Sequence, residues 1–280
     1  MTHNARQRFR APSKLKLRDK DADDATFSSR AANPKLSKSR GKALDLERTA
    51  ALIDRIAALQ DKLYAQRKQK VLLILQGMDT SGKDGTVRAM FSGISPMGLR
   101  AVGFKGPTDD ELAHDYLWRV HRHVPINGEI AIFNRSHYED VLITRVQGWI
   151  DDEECKRRYA QIRDFERMLA ETGTVIVKVF LHISKEEQRE RLQERLDDPD
   201  KQWKFNPEDI KQRVKWDDYQ RAYEKAIRET DASHAPWYIV PANSKTHRNL
   251  VVASLLLETL EEMELSYPPP HPDLSSFTVE

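Results

Sequence analysis

The chain has 280 residues, 39% of them hydrophobic, and its 46 Lys and Arg stand against 44 Asp and Glu for a net charge of +2. That length and apolar content suffice for one large core, while so even a charge balance excludes recognition of nucleic acid or a membrane surface through a global basic field. Any anion recognition has to be local. A single cysteine, Cys155, excludes an internal disulfide, argues against a cysteine-based metal site and reads as an incidental thiol.

In chain order, residues 1–43 come first. From Met1 to Lys42 there are 12 Lys and Arg against 4 Asp and few large apolar side chains, so this segment is expected to be a flexible basic arm, solvated or wrapped on another subunit of a homo-oligomer. Its opening residues, MTHNARQRFRAPSK, lack the apolar stretch of a signal peptide, and no apolar run in the chain reaches the length of a membrane span. A cytoplasmic protein with no membrane partner is the expectation. Leu46, Ala50, Leu52, Ile53, Ile56, Leu59 and Leu63 then recur at helical spacing and predict an amphipathic helix over Leu44 to Lys68.

VLLILQ, from Val71 to Gln76, reads as a buried strand, and AVGF at Ala101, IAIF at Ile130, VIVKVFLHI at Val175 and WYIVPA at Trp237 repeat the signal. Helical stretches lie between them at Lys83 to Phe91, Asp109 to His123, Asp151 to Thr172 and Lys185 to Leu196. Five strands alternating with helices predict an α/β fold with a parallel sheet covered on both faces, forming one domain over residues 44–265. Residues 266–280, SYPPPHPDLSSFTVE, form a proline-rich tail without periodicity.

The first strand runs into GMDTSGKDG. Gly77, Gly82 and Lys83 fit the G-x-x-x-x-G-K spacing of a phosphate-binding loop, with the helix from Lys83 directly after it. Backbone N–H groups of Thr80, Ser81, Gly82 and Lys83 would face a phosphate at the positive end of that helix, the glycines would let the backbone approach closely, and Lys83 adds a mobile full charge. Asp84, however, stands where a Ser or Thr hydroxyl ordinarily holds magnesium. Asp79 and Asp84 would repel bare phosphate, so their presence predicts a cation beside them. Magnesium fits, with manganese as a substitute, because it takes carboxylate and phosphate oxygens together; the Thr86 hydroxyl would assist, and Gly85 continues the cradle.

The third strand runs into FNRSHYEDVL. It ends on Asn134 where such strands usually carry an Asp that orients magnesium, and Glu139 and Asp140, one helical turn further on, are placed to restore the charge or to favour the next helix N-terminus.

Four ordered blocks, GMDTSGKDG, FKGPTDDE, HRHVPINGEIAIFNRSHYEDVL and RLDDPDKQWKFNPEDIKQR with Trp216 and Tyr219 beyond it, together resemble the polyphosphate kinase 2 family over roughly Leu44 to Glu262. The resemblance implies a thymidylate kinase-like three-layer α/β/α P-loop fold with a helical lid at about residues 184–216. It also implies magnesium-dependent transfer of phosphate between inorganic polyphosphate and nucleotides. The FNRSHYEDVL form is similar to the subgroup that phosphorylates both nucleoside mono- and diphosphates. At matching positions it implies catalytic roles for Asp79, Lys83 and Arg135, nucleotide contacts for Arg119, Arg122, Asn134, Glu139 and Asp140, and phosphate contact by Lys105. Asp79, Asp84 and Asp140 would be the metal carboxylates. In the lid, Arg191 and Arg195 lie four apart on one helical face, with Lys201 and Lys204 in the following loop, as an extended polyphosphate chain would require. Nine basic and nine acidic residues between Ser184 and Trp216 leave an ordinary solvated surface open on composition alone.

Two other functions compete. An ATP-dependent nucleoside monophosphate kinase of the thymidylate kinase type would use the same fold and loop with ATP as donor. A non-catalytic polyanion-binding module would work through the basic arm. A GTPase is disfavoured, since ANSK at Ala242 to Lys245 lacks the Asp of a guanine-reading sequence.

Overall fold

The computed structural model describes residues 4–273 with 277 and 279, so the start of the basic segment and most of the end of the proline-rich tail lie outside the described residues. Five strands form a single sheet: β1 (Lys70–Gln76), β2 (Leu99–Gly103), β3 (Ile130–Asn134), β4 (Thr174–His182) and β5 (Trp237–Pro241), in the order β2-β3-β1-β4-β5 and all parallel. Every residue of β1 after Lys70 is buried, as expected of a central strand covered on both faces. Helices Lys38–Gln66, Lys83–Phe91 and Lys245–Glu262 pack together in one layer, and helices Asp152–Glu171 and Trp216–Thr230 in another. This is the expected three-layer α/β/α arrangement.

The chain leaves β1 toward β2 on one side of it and passes from β3 to β4 on the other, which opens a crevice at the carboxyl ends of these strands. Leu75 lies opposite Asn134 and Gln76 opposite Phe180, so the loops after β1 and β3 emerge side by side. That register brings the cradle next to Arg135.

Two sequence expectations change. The stretch Asp109 to His123 is not one helix but two short turns, Asp109–Leu112 and Trp118–His121, because the Asp115 carboxylate accepts the Leu117 and Trp118 amides at 3.0 Å and restarts the chain. The described part of the basic segment is also not a free arm. Ala5, Phe9, Leu15 and Ala22 are buried, and the Ala5 and Arg6 amides each donate to Glu258 at 2.8 Å. Ala11 donates its amide to the Trp237 carbonyl at 2.9 Å, which covers part of the edge of β5. The few apolar residues of this segment therefore fill positions on the core of their own chain, and its charges pair locally, as Arg10 does with Asp231. No helix among the described residues is long and apolar enough to cross a membrane.

Beneath the crevice lies a charge pair with almost no solvent contact. Lys178 of β4 donates to Glu166 at 2.6 Å, to the Tyr138 hydroxyl at 2.9 Å and to the Thr230 carbonyl at 2.8 Å. Tyr138 donates to the other Glu166 oxygen at 2.8 Å, where His137 also lies at 3.2 Å. Burial works against the Glu166 charge, but Lys178 and His137 more than offset it and hold the carboxyl below its usual range.

Breaking this pair from one side leaves an uncompensated buried charge, so Lys178→Met should destabilise the fold by about 3–5 kcal/mol in urea unfolding at neutral pH. Because the folded-state pKa of Glu166 is depressed, the stability it contributes is present above the ordinary carboxyl pKa of about 4.3 and lost as pH falls below it; the deficit of the variant should shrink in the same direction.

Candidate active site

The loop after β1 has the backbone of a phosphate cradle. Gly77 adopts φ +152°, and a Cβ there would stand 2.7 Å from the Leu181 carbonyl, so glycine is required for both reasons. Thr80 and Gly82 also take positive φ, after which helix Lys83–Phe91 begins. The Thr80, Ser81 and Thr86 hydroxyls are buried without a hydrogen-bonding partner within the protein. Buried polar groups seldom go unpaired, so three together mark a surface built to meet a polar ligand. Lys83 is buried and donates to the carbonyls of Gly77 at 2.7 Å and Met78 at 3.2 Å. Burial and the like charge of Arg135 push its ammonium down to about 8, against the pull of Asp79.

Across the crevice, Arg135 sits at φ +63° immediately after β3 and donates to Asp79 at 2.6 Å. Burial opposes its charge, but Glu139 and Asp79 more than offset this and raise its pKa. These residues line one cleft with Gly77. Gln212, Tyr219 and Tyr223 enter the same cleft from the lid side. Burial, reinforced by the Glu139 and Asp79 charges, raises the pKa of both tyrosines, so each stays a neutral hydroxyl at physiological pH. The sequence reading missed Gln212 and Tyr223; the i, i+4 spacing of Tyr219 and Tyr223 was the available signal for one helical face.

Asp84 and Asn134 meet directly. The Asn134 amide donates to Asp84 at 2.6 Å, and Lys204 lies 4.0 Å from the other Asp84 oxygen. Asp79 and Asp84 thus offer hard oxygens on the cradle, a donor set suited to a cation shared with phosphate rather than to a cage made wholly of protein. Asp140 does not join them. It is held near Arg158, whose guanidinium also takes the Asp140 carbonyl at 2.9 Å, and burial lifts its carboxyl to about 6 against that pull. Among the described residues no three His, Cys, Asp or Glu side chains converge as a metal cage would.

Several cations expected at phosphate or nucleotide have partners within the protein. Arg191 is buried, pairs with Glu187 at 2.7 Å, and donates to the carbonyls of Thr80 at 2.9 Å and Ala242 at 2.7 Å. Its donors are committed to holding the cradle against the segment after β5. Gln188, one turn earlier, holds the Asp79 carbonyl at 3.1 Å. Arg195 engages Asp209 at 3.2 Å and the Lys204 carbonyl at 3.3 Å, tying the two lid segments together. Lys201 is exposed and paired with Asp198 at 2.7 Å. Arg119 lies against Phe104 and donates to the carbonyl of the exposed Lys105 at 2.7 Å, while Arg122 stands over Trp118 in a second groove with His121 and Phe165.

The sequence model of the polyphosphate kinase 2 family matches residues 38–268. The chain belongs to the polyphosphate kinase 2 family. It is 53% identical to the AMP/ADP-polyphosphate phosphotransferase of Meiothermus ruber, across 86% of this chain and 90% of that one. It is 46% identical to the ADP-polyphosphate phosphotransferase of Rhodopseudomonas palustris, across 77% and 79%. The crystal structure of polyphosphate kinase 2 from Arthrobacter aurescens superposes with a TM-score of 0.89 at 42% identity, covering 97% of this chain and 94% of that one. The family match includes the cradle, the Arg135 to Asp140 turn and the lid, but excludes most of the basic segment packed along β5.

Because Lys83 loses its proton as pH rises through about 8, kcat/KM for the phosphate donor should fall above that pH in a rate profile of the enzyme. Lys83→Ala should lower turnover by about 10²–10⁴-fold, roughly 3–5 kcal/mol of barrier, by removing charge from the transferring group.

Proposed function

We propose that this protein transfers the terminal phosphoryl group of inorganic polyphosphate to nucleoside diphosphates and monophosphates, making ATP from ADP and ADP from AMP. The observation that carries the reading is the Asp79–Arg135 contact, 2.6 Å across a cleft with the phosphate cradle on one wall and the tyrosines of helix Trp216–Thr230 on the other. A donor phosphate in the cradle and an acceptor phosphate at Arg135 would lie side by side. The names of the Meiothermus and Rhodopseudomonas relatives support the same substrates.

In the reaction, an oxygen of the acceptor's terminal phosphate attacks the terminal phosphorus of polyphosphate, and the bond to the bridging oxygen breaks. That oxygen leaves on the shortened chain. The attacking oxygen is already ionised at neutral pH, so the site needs no strong general base, and positioning and charge neutralisation carry the catalysis. The cradle amides and Lys83 hold the donor, Arg135 orients the acceptor, and Lys204 brings a lid cation to the cradle's edge. Asp79 and Asp84 would hold magnesium, whose contribution when bound is to offset phosphate charge. Tyr219 and Tyr223, kept neutral, offer hydroxyls to the acceptor side and help exclude water.

The test uses ADP or AMP with magnesium and polyphosphate, and separates the products by chromatography. ATP from ADP with no other phosphate source is the expected result; a requirement for ATP as donor to AMP under the same conditions would replace this reading with that of an ordinary nucleotide kinase. Asp79→Asn and Asp84→Asn should both raise the magnesium concentration for half-maximal rate, with the larger loss of turnover in Asp79→Asn because it also frees Arg135. An unchanged magnesium dependence in both variants would remove the two carboxylates from metal binding.

A further inference from the structure

Behind the cradle stands an arginine that the reading so far leaves without a role. Helix Lys245–Glu262 starts at Ser244, whose hydroxyl accepts the His247 amide, and its first turn directs Arg248 under the loop after β1. Only 3% of Arg248 is exposed. Its Nε and Nη2 donate to Asn249 Oδ1 at 3.1 and 2.9 Å, and Nη1 reaches the Ser81 carbonyl at a long 3.4 Å. All of these acceptors are neutral. Among the described residues no carboxylate pairs with it, whereas the neighbouring Arg191 has Glu187.

A buried charge facing only neutral dipoles costs several kcal/mol, and a fold has cheaper ways to hold one loop carbonyl. The surroundings show where the charge is directed. A Cβ on Gly82 would stand 1.8 Å from Arg248 Nη1, and one on Gly85 would stand 3.4 Å from Nη2. The guanidinium therefore fills the space that side chains at these two positions would take, and only the thin glycine backbone of the cradle separates it from the cradle's other face. The buried, unpartnered hydroxyls of Thr80, Ser81 and Thr86 belong to the same loop and point independently to a polar ligand there.

We propose that Arg248 is a positioning residue for the phosphate donor: a fixed buried cation behind Gly82 and Gly85 whose field strengthens the cradle for a polyanion. This rests on the proposed use of polyphosphate. It divides the work of the loop, with Lys83 supplying the charge in front and Arg248 a charge behind that never has to move. Burial, and then the like charge of Arg191, push Arg248 down to about 10, still far enough above neutrality for it to remain charged. It also gives Gly82 a second reason to be glycine beyond its φ of +98°.

The experiment compares wild type with Arg248→Gln, which keeps a hydrogen-bond donor and loses the charge, and with Arg248→Lys, which keeps the charge. Inorganic triphosphate is the binding probe, followed by calorimetry, and KM is measured separately for polyphosphate and ADP. Arg248→Gln should weaken triphosphate binding and raise KM for polyphosphate by about tenfold or more, leave KM for ADP within about twofold, and unfold at or above the wild-type temperature when no anion is added. Arg248→Lys should recover most of the triphosphate affinity. Equal triphosphate affinity in wild type and Arg248→Gln overturns the proposal. So does a parallel loss of stability and of both KM values in the two variants, which would make Arg248 a structural brace. Should wild type bind triphosphate in an Arg248-dependent way yet show no polyphosphate-dependent turnover, the role of Arg248 stands and the proposed donor fails.

Discussion

The Lys178–Glu166 pair is the contact on which the rest of the site depends. One ammonium in β4 meets the helix behind it through Glu166, the turn after β3 through Tyr138, and the end of helix Trp216–Thr230 through the Thr230 carbonyl. The turn carries Arg135 and Glu139 one residue to either side of the Ser136–Tyr138 segment, and the helix carries Tyr219 and Tyr223. The turn that carries Arg135 and the helix that carries the tyrosines are thereby fixed to the same buried point. Such a network is costly to build in a low-dielectric interior, but with Lys178 and Glu166 each holding several partners it permits few alternative arrangements. Arg135 needs that support: a non-glycine residue at φ +63° stores backbone strain of about 1–3 kcal/mol, which persists only where the surroundings over-determine it.

The odd carboxylate of the cradle makes sense beside the odd amide of β3. A phosphate-binding loop of the common kind has a hydroxyl on the loop and an acid at the end of the adjacent strand. Here the acid, Asp84, is on the loop, and the neutral partner, Asn134, is on the strand, 2.6 Å away. The register of β1 with β3 makes the exchange possible, since Leu75 faces Asn134 and the two chain segments leave the sheet together. The total charge at the edge of the cradle is kept while its position moves toward the lid, where Lys204 approaches Asp84.

The sheet was legible from the sequence because each strand carries a short apolar run, broken in β4 only by Lys178, and all five strands overlap the segments where those runs placed them. The basic segment was misread because it donates only a few anchors, Ala5, Phe9, Leu15 and Ala22, to a core made elsewhere, and composition over a window cannot show contacts across some 250 residues of chain, such as Ala5 with Glu258. The helix after Thr108 was misread because a side chain, Asp115, competes for backbone amides that helical periodicity assigns to carbonyls. Within the site, the cradle glycines and Lys83 were readable because their spacing is imposed by backbone geometry. The roles of the arginines were not, since spacing along a helix says which side chains share a face but not whether that face meets solvent or another segment.

That last distinction orders the cations of the site by what they can do. Arg191 has a carboxylate and several carbonyls as partners, so a phosphate would have to break existing bonds to recruit it, and its contribution is to keep Thr80 and the segment after β5 in register. Arg195 is likewise committed within the lid. Lys83 holds only neutral carbonyls of its own loop, which a phosphate can replace at little cost because the ammonium exchanges neutral acceptors for charged ones. Arg135 lies between these cases: Asp79 shares it with the cleft, so a phosphate arriving there would compete with Asp79 for a guanidinium that the carboxylate holds in place. The carboxylates of the cradle therefore do more than tolerate phosphate charge. They keep the neighbouring cations partly neutralised, Asp79 at Arg135 and Asp84 beside Lys204, which is how a site so densely charged remains compatible with a folded chain of net charge +2.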